Sequence, residues 1–279
     1  MTEQTDLISI IVRDGVELMG REWQITSPDA AILIIHGLGE HSGRYDHVAK
    51  YFNQNNFVVY SFDLRGHGLS EGRRGHIPSY NRILEDVEEM LMYARSDHND
   101  IPLFLFGHSM GGNIVANYII QKNVNELTGA IISAPWLQTV EVIPASKIKL
   151  ARIVNRIWPS LSQPNGLNVD HLTHNPDVNE AYLKDELVHD KISVRTFLSF
   201  YDAGLYALTR ASKVKTSAFV YHGAKDMITS ASASEKFAEA GSEKIVFKLY
   251  KDTMHEGHND QHKSEIIDSS ISWCKEQMR

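Results

Sequence analysis

Phe104-Leu105-Phe106-Gly107-His108-Ser109-Met110-Gly111-Gly112-Asn113 is the stretch from which the rest of the chain is read. An apolar run stops at a glycine, a serine stands two places on, and a second glycine stands two places beyond that. The residues after the serine have helical spacing. A strand that turns this sharply into a helix lifts the serine out of the sheet, and only hydrogen atoms can stand beside so tight a bend. Gly107 and Gly111 are therefore steric requirements, and Ser109 is a candidate nucleophile. A serine hydroxyl needs a base to take its proton. The chain must then also supply a histidine, a carboxylate to orient it, and N–H donors for an oxyanion.

Upstream of this turn, Ile8–Val12 and Val16–Ile25 read as strands joined by Arg13-Asp14-Gly15, a hairpin signal. Ala30–Ile35, Phe57–Phe62 and Leu103–Phe106 are continuous apolar runs, as strands covered on both faces of a parallel sheet should be. Helical spacing separates them at Arg44–Asn55 and Tyr80–Ala94, and recurs at Met110–Gln121. Downstream, Leu127–Ser133, Ser217–Tyr221 and Lys244–Tyr250 read as strands, with helices at Ala231–Ala240 and His262–Glu276. Such alternation implies βαβ units and an α/β fold with a parallel sheet. It breaks between Ala134 and about Lys213, where Pro135, Pro144, Pro159, Pro164 and Pro176 cut a helical and loop-like segment. The expected organisation is a core of residues 1–137 and 210–279 with a helical cap, 138–209, inserted over the strand ends.

The remaining catalytic groups should lie in loops just past later strands. Asp226 follows the strand ending at Tyr221, and His255 and His258 follow the strand ending at Tyr250. Either histidine can act as base; His255 is nearer the strand end and is preferred. Asp252 is a weaker acid candidate, because so near a neighbour aims poorly at the same imidazole. Glu256 reads as a local hydrogen-bonding residue. The oxyanion donors should be the backbone N–H groups of Met110, after the nucleophile, and Leu38, in the loop His36-Gly37-Leu38-Gly39.

Composition excludes several other classes. The chain has 279 residues, net charge −7, 42% hydrophobic and 23% charged residues, which describes an ordinary globular protein with no general attraction to nucleic acid. Its single cysteine, Cys274, rules out an internal disulfide and a multi-cysteine metal site. The N-terminal Met1-Thr2-Glu3-Gln4-Thr5-Asp6 has no basic segment leading into an apolar run, and no apolar stretch is long enough for a membrane span. The expected location is cytoplasmic.

At His36-Gly37-Leu38-Gly39-Glu40-His41-Ser42-Gly43-Arg44-Tyr45, Asp63-Leu64-Arg65-Gly66-His67-Gly68-Leu69-Ser70, Gly107–Gly112 and the Asp226 and His255 loops, the sequence resembles the monoacylglycerol lipase and lysophospholipase branch of the α/β-hydrolases. The resemblance implies an eight-stranded, mostly parallel sheet whose second strand is antiparallel, a helical cap, and no metal or cofactor. It also implies a small polar pocket for a glycerol leaving group, carried over to Glu40, Arg44 and His258. The alternative for these is a Glu40–Arg44 salt bridge that holds the loop, with His258 at the surface. Arg65 and His67 read as structural residues of their turn.

The expected activity is hydrolysis of a lipid ester, most simply a monoacylglycerol, through an acyl-enzyme on Ser109. A lysophospholipase and a general carboxylesterase are the nearest alternatives, and Arg44 in the pocket argues against a cationic head group. Carbon–carbon hydrolysis, cofactor-free peroxidation and a non-catalytic binding protein on the same fold are rivals of other classes. In the cap, Lys147–Trp158 puts Lys149, Arg152 and Arg156 on one helical face and Leu150, Ile153, Val154 and Ile157 on another. That pattern either rests on a lipid surface, making the enzyme peripheral to a membrane, or roofs the acyl tunnel.

Overall fold

Eight strands form one sheet in a computed structural model that describes residues 4–279. In chain order the strands are β1 (Gln4–Ile11), β2 (Glu17–Gln24), β3 (Ala30–Ile35), β4 (Phe57–Phe62), β5 (Leu103–His108), β6 (Gly129–Ser133), then the short β7 (Ser162–Pro164) and β8 (Lys191–Ser193), and finally β9 (Ala218–Gly223) and β10 (Ile245–Tyr250). The main sheet runs β1-β2-β4-β3-β5-β6-β9-β10, while β7 and β8 pair separately. Only β2 opposes the others: it is antiparallel to β1 and β4, and every other pair in the main sheet is parallel. The sheet is the one the sequence implied.

The helices are α1 (Asp46–Asn53), α2 (Tyr80–Ser96), α3 (Met110–Gln121), α4 (Ala145–Ile157), α5 (Pro176–Lys184), α6 (Val194–Arg210), α7 (Ala231–Gly241) and α8 (Lys263–Gln277). The period of two along each central strand sends alternate residues to opposite faces. Ala31, Leu33, Ile35, Leu103 and Leu105 join a core built with α2, α3, α6 and α7. Ala30, Ile32, Ile34, Phe104 and Phe106 join the other core, under α1 and α8, where the sole cysteine, Cys274, is fully buried. This two-sided burial is why β3, β4 and β5 have no polar alternation.

The helix expected over 44–55 starts later. Ser42–Tyr45 is a 3₁₀ turn and the α-helix begins at Asp46. The tighter turn follows from nearby acceptors: Asp63 Oδ1 takes the Ser42 N–H at 2.7 Å, and His41 Nδ1 takes the Gly43 N–H at 3.1 Å.

Between β6 and β9 lie α4, α5, α6 and the β7–β8 ribbon. Helix α6 stands on α3, where Asn113 Nδ2 donates to the Trp136 and Phe200 carbonyls and Asn117 Nδ2 to that of Ala203. Other parts of this segment tie into loops at the strand ends. His189 N donates to Gly39 O at 2.9 Å, His41 Nε2 pairs with Asp185 Oδ2 at 2.8 Å, and Glu256 N donates to Leu172 O at 2.8 Å.

Arg65, in the turn after β4, fixes that turn to α2. Its Nε and Nη2 donate to Asp86 Oδ2 and Oδ1 at 2.6 and 2.8 Å, and Nη1 reaches Asp14 at 3.1 Å. Asp86 has no exposed side-chain surface, whereas that of Asp14 is 38% exposed. Removing one partner of a buried pair strands the other charge, at about 3–5 kcal/mol, while an exposed pair contributes about 0–1 kcal/mol. Because Arg82 still reaches Asp86 at 2.8 Å, Arg65→Met is expected at the lower end, about 3 kcal/mol, and Asp14→Ala at under about 1 kcal/mol. Urea denaturation of both variants checks this ordering.

Candidate active site

The serine turn has the geometry its glycines require. Ser109 sits at φ +53°, a left-handed conformation that costs a non-glycine residue about 1–3 kcal/mol. Neighbouring backbone holds it there: Ser109 N donates to Ser133 O at 2.9 Å, and Ser109 O accepts from Asn113 N at 3.0 Å and Trp136 N at 2.9 Å. A Cβ on Gly107 would overlap the Gly111 carbonyl, and one on Gly111 would overlap the carbonyls of Ile35 and His36. Ser109 itself is half-buried and stands at the N-terminus of α3.

The loop after β3 is clamped from inside. His36 Nδ1 lies 2.7 Å from Gly37 O and Nε2 lies 2.8 Å from Leu64 N. Since the amide can only donate, Nε2 accepts and Nδ1 carries the proton given to the carbonyl. Burial also lowers the His36 pKa, in keeping with a neutral ring. In a trans peptide the C=O and the following N–H point in opposite directions. Holding Gly37 O therefore aims the Leu38 N–H. Neither the Leu38 nor the Met110 N–H finds an acceptor among the described residues.

Asp226 and His255 meet as expected. His255 Nδ1 donates to Asp226 Oδ2 at 2.7 Å, and both side chains are almost wholly buried. Asp226 Oδ1 accepts from the Ile228 and Thr229 N–H groups at 2.7 and 3.0 Å. Burial works to raise the Asp226 pKa, but the His255 charge and hydrogen bonds from His222 and His255 outweigh it and hold the carboxyl well below its ordinary value. Burial likewise disfavours a charged His255, yet Asp226 raises its pKa above the ordinary value. Asp252, the weaker acid candidate, lies outside this site and pairs with Lys225 at 2.9 Å on the surface.

Glu40, Arg44 and His258 form one contiguous cluster. Arg44 Nη1 bonds Glu40 Oε2 at 2.5 Å, and its two Nη groups take Glu256 as a bidentate pair at 2.8 Å each. The guanidinium also lies over the Tyr182 ring at 4.7 Å. Glu40 Oε1 accepts from Gly37 N at 2.6 Å and Tyr45 OH at 2.9 Å, so one carboxylate shapes both the loop after β3 and this cluster. The Glu40–Arg44 bridge read as the alternative is thus present, and Glu256 reaches well beyond its own loop. Burial works to raise the Glu256 pKa, but the Arg44 charge outweighs it and brings the pKa down to about 2. His258 stacks on Tyr45, centroids 5.1 Å apart, and burial brings its pKa down to about 3. Both ring nitrogens of His258 are buried without a hydrogen-bond partner among the described residues.

The sequence model of the family described as Serine aminopeptidase, S33 (Hydrolase_4) matches residues 26–262. The chain belongs to this family. It is 29% identical over 262 residues to a monoacylglycerol lipase of Mycolicibacterium smegmatis, covering 93% of each chain. It is 30% identical over 273 residues to an abhydrolase domain-containing protein of Dictyostelium discoideum, covering 97% of this chain and 29% of that longer one. Among solved structures, the monoacylglycerol lipase of Paleococcus ferrophilus superposes with a TM-score of 0.84 at 31% identity, over 93% of this chain and 99% of that one. These matches put the chain in the monoacylglycerol lipase branch of the α/β-hydrolases.

Two contributors escaped the sequence reading. Glu256 was legible as a neighbour of His255, but its partner Arg44 lies 212 residues away in the chain. His222 bonds Asp226 Oδ2 at 2.9 Å; its only local signal is a place four residues before Asp226, at the end of a strand. No group of three or more His, Cys, Asp or Glu able to hold a metal occurs among the described residues.

Gly111→Ala tests the turn. The new methyl would press on backbone carbonyls that cannot rotate away, costing about 1–3 kcal/mol. A lower thermal midpoint together with lost labelling of Ser109 by a fluorophosphonate is the expected result.

Proposed function

We propose that this protein is a serine esterase that hydrolyses monoacylglycerols to fatty acid and glycerol. The observation that carries the reading is the buried Asp226–His255 pair, brought by separate loops to the sheet end from which Ser109 projects on a strained turn. Ser109 Oγ attacks the ester carbonyl while His255 Nε2 takes its proton, and Asp226 holds the ring in that tautomer. The Leu38 and Met110 N–H groups receive the oxyanion, each worth about 2.7–4 kcal/mol in the transition state. His255 then returns the proton to the leaving alkoxide, and water repeats the sequence to release the acid.

The polar cluster supports glycerol as the leaving group. Glu40 Oε1 is fully used by two donors, but Oε2 accepts one bond from Arg44 and retains a lone pair. A neutral His258 offers one donor and one acceptor. Vicinal hydroxyls complement that set; a trimethylammonium group has neither donor nor acceptor and would leave the His258 nitrogens unpaired. Arg44 does not itself repel a cation, because Glu40 and Glu256 compensate its charge. Discrimination against choline esters rests on hydrogen bonding.

Residues 138–209 are taken as the cap, with α4 as its membrane-facing element. Only Ile148 of α4 is buried; Leu150, Ile153 and Ile157 are 61, 57 and 81% exposed on the opposite side of the helix. Lys147, Lys149 and Arg156 flank this stripe and are also exposed. An outward apolar stripe edged with cations suits the interface of an anionic bilayer. No helix among the described residues is long and apolar enough to cross one.

Hydrolysis of 1-monoacylglycerol should exceed that of lysophosphatidylcholine, and Ser109→Ala should lose several orders of magnitude while keeping its melting temperature. Because the base works as the neutral imidazole and Asp226 raises its pKa, kcat/KM should fall with decreasing pH through a midpoint above about 6.5. A serine variant with near-normal turnover would end the assignment.

For the cap, wild type should co-sediment with phosphatidylglycerol-containing vesicles, and Ile153→Glu, Ile157→Glu should stay in the supernatant with unchanged hydrolysis of a short soluble ester. Equal partition of the two proteins would remove α4 from that role.

A further inference from the structure

Asp226 Oδ2 faces two imidazoles. His255 Nδ1 approaches at 2.7 Å and His222 Nε2 at 2.9 Å, with the Thr229 hydroxyl also at 2.9 Å. His222 is the penultimate residue of β9 and has no exposed surface. Its other nitrogen, Nδ1, lies 2.8 Å from Oγ of Ser234, a fully buried residue in the first turns of α7. The triad chemistry leaves both residues without a task.

Protonation follows from the partners. An ionised carboxylate only accepts, so His222 Nε2 carries a proton. In the neutral ring Nδ1 is then the acceptor, and the Ser234 hydroxyl donates to it. The chain of donors reads Ser234 Oγ–H to His222 Nδ1, His222 Nε2–H to Asp226 Oδ2, with His255 Nδ1–H arriving at that oxygen from the other side. The backbone N–H groups of Ile228 and Thr229 anchor Oδ1, which leaves the swing of Oδ2 to be limited by its own donors. His222 comes from a sheet strand and Ser234 from a helix packed on that sheet, so this support is as rigid as the core.

We infer that His222 is a positioning residue for catalysis: it fixes Asp226 Oδ2 opposite His255, and Ser234 sets the His222 tautomer that makes this possible. The inference rests on Ser109, Asp226 and His255 being the catalytic triad. Sharing Oδ2 with a second donor spreads its charge, keeping the proton on His255 Nδ1 and Nε2 aimed at the serine. Small errors in that aim lower the rate of the chemical step without changing ground-state binding.

The test compares wild type, Ser109→Ala, His222→Leu, His222→Gln and Ser234→Ala on a soluble monoacylglycerol, with thermal midpoints and the downfield proton NMR signal of His255 Nδ1–H. His222→Leu should lose about tenfold in kcat at unchanged KM and shift the downfield signal. His222→Gln, which keeps an N–H donor, should recover most of the rate. Ser234→Ala should lose severalfold in kcat with its fold intact. If wild type neither hydrolyses the ester nor reacts with a fluorophosphonate, the triad reading itself has failed. If wild type is active and Ser109→Ala is dead, but His222→Leu matches wild type in kcat and downfield signal, the role of His222 alone is overturned. Equal losses in the Leu and Gln variants with an unmoved signal overturn it too. Should His222→Leu not fold, an unchanged kcat and signal in Ser234→Ala likewise overturns the role of His222.

Discussion

The guanidinium of Arg44 joins the two sides of the candidate active site. One carboxylate that it binds, Glu40, belongs to the loop after β3 and accepts the Gly37 N–H; the other, Glu256, follows His255 in the loop after β10. The loop that presents the Leu38 N–H and the loop that carries His255 are thereby held at a fixed separation. All three charges are almost fully buried. Removal of Arg44 leaves two carboxylates uncompensated inside the protein, at about 3–5 kcal/mol, whereas removal of either glutamate leaves a charge-matched pair. The arrangement stabilises the fold weakly compared with apolar packing of equal volume, but it sets a geometry that apolar side chains cannot specify.

Asp226 extends the same logic. Five donors converge on one carboxylate: two backbone N–H groups, two histidines and the Thr229 hydroxyl. A group so fully bonded stays ionised in spite of burial, and its charge raises the pKa of His255 in turn. Rigidity of the site thus comes from saturating polar groups, while the surrounding sheet supplies the frame.

The sheet was legible because β3, β4 and β5 are unbroken apolar runs between turn signals, and because their alternation with helices admits few topologies. The serine turn and the meeting of Asp226 with His255 were legible for a similar reason: a sharp strand-to-helix bend and a carboxylate facing an imidazole each restrict residue type and place at once. The pairing of Arg44 with Glu256 was not, since spacing along the chain says nothing of which distant loop will lie opposite. For α4 the periodicity revealed an apolar stripe but carried no sign for its direction; in the structure it points outward. The delayed start of α1 reflects acceptors from Asp63 and His41, of which only the second is local.

Cys274 has a practical meaning. It is the only thiol in the chain, it is wholly enclosed on the inner face of α8, and burial raises its pKa well above the ordinary value. The thiolate is the nucleophile that attacks alkylating reagents, so this enclosed thiol should react with them slowly in the native protein. A cysteine introduced on any exposed position, the outer face of α4 included, becomes a unique attachment point for a spin label or fluorophore with no background substitution to make first.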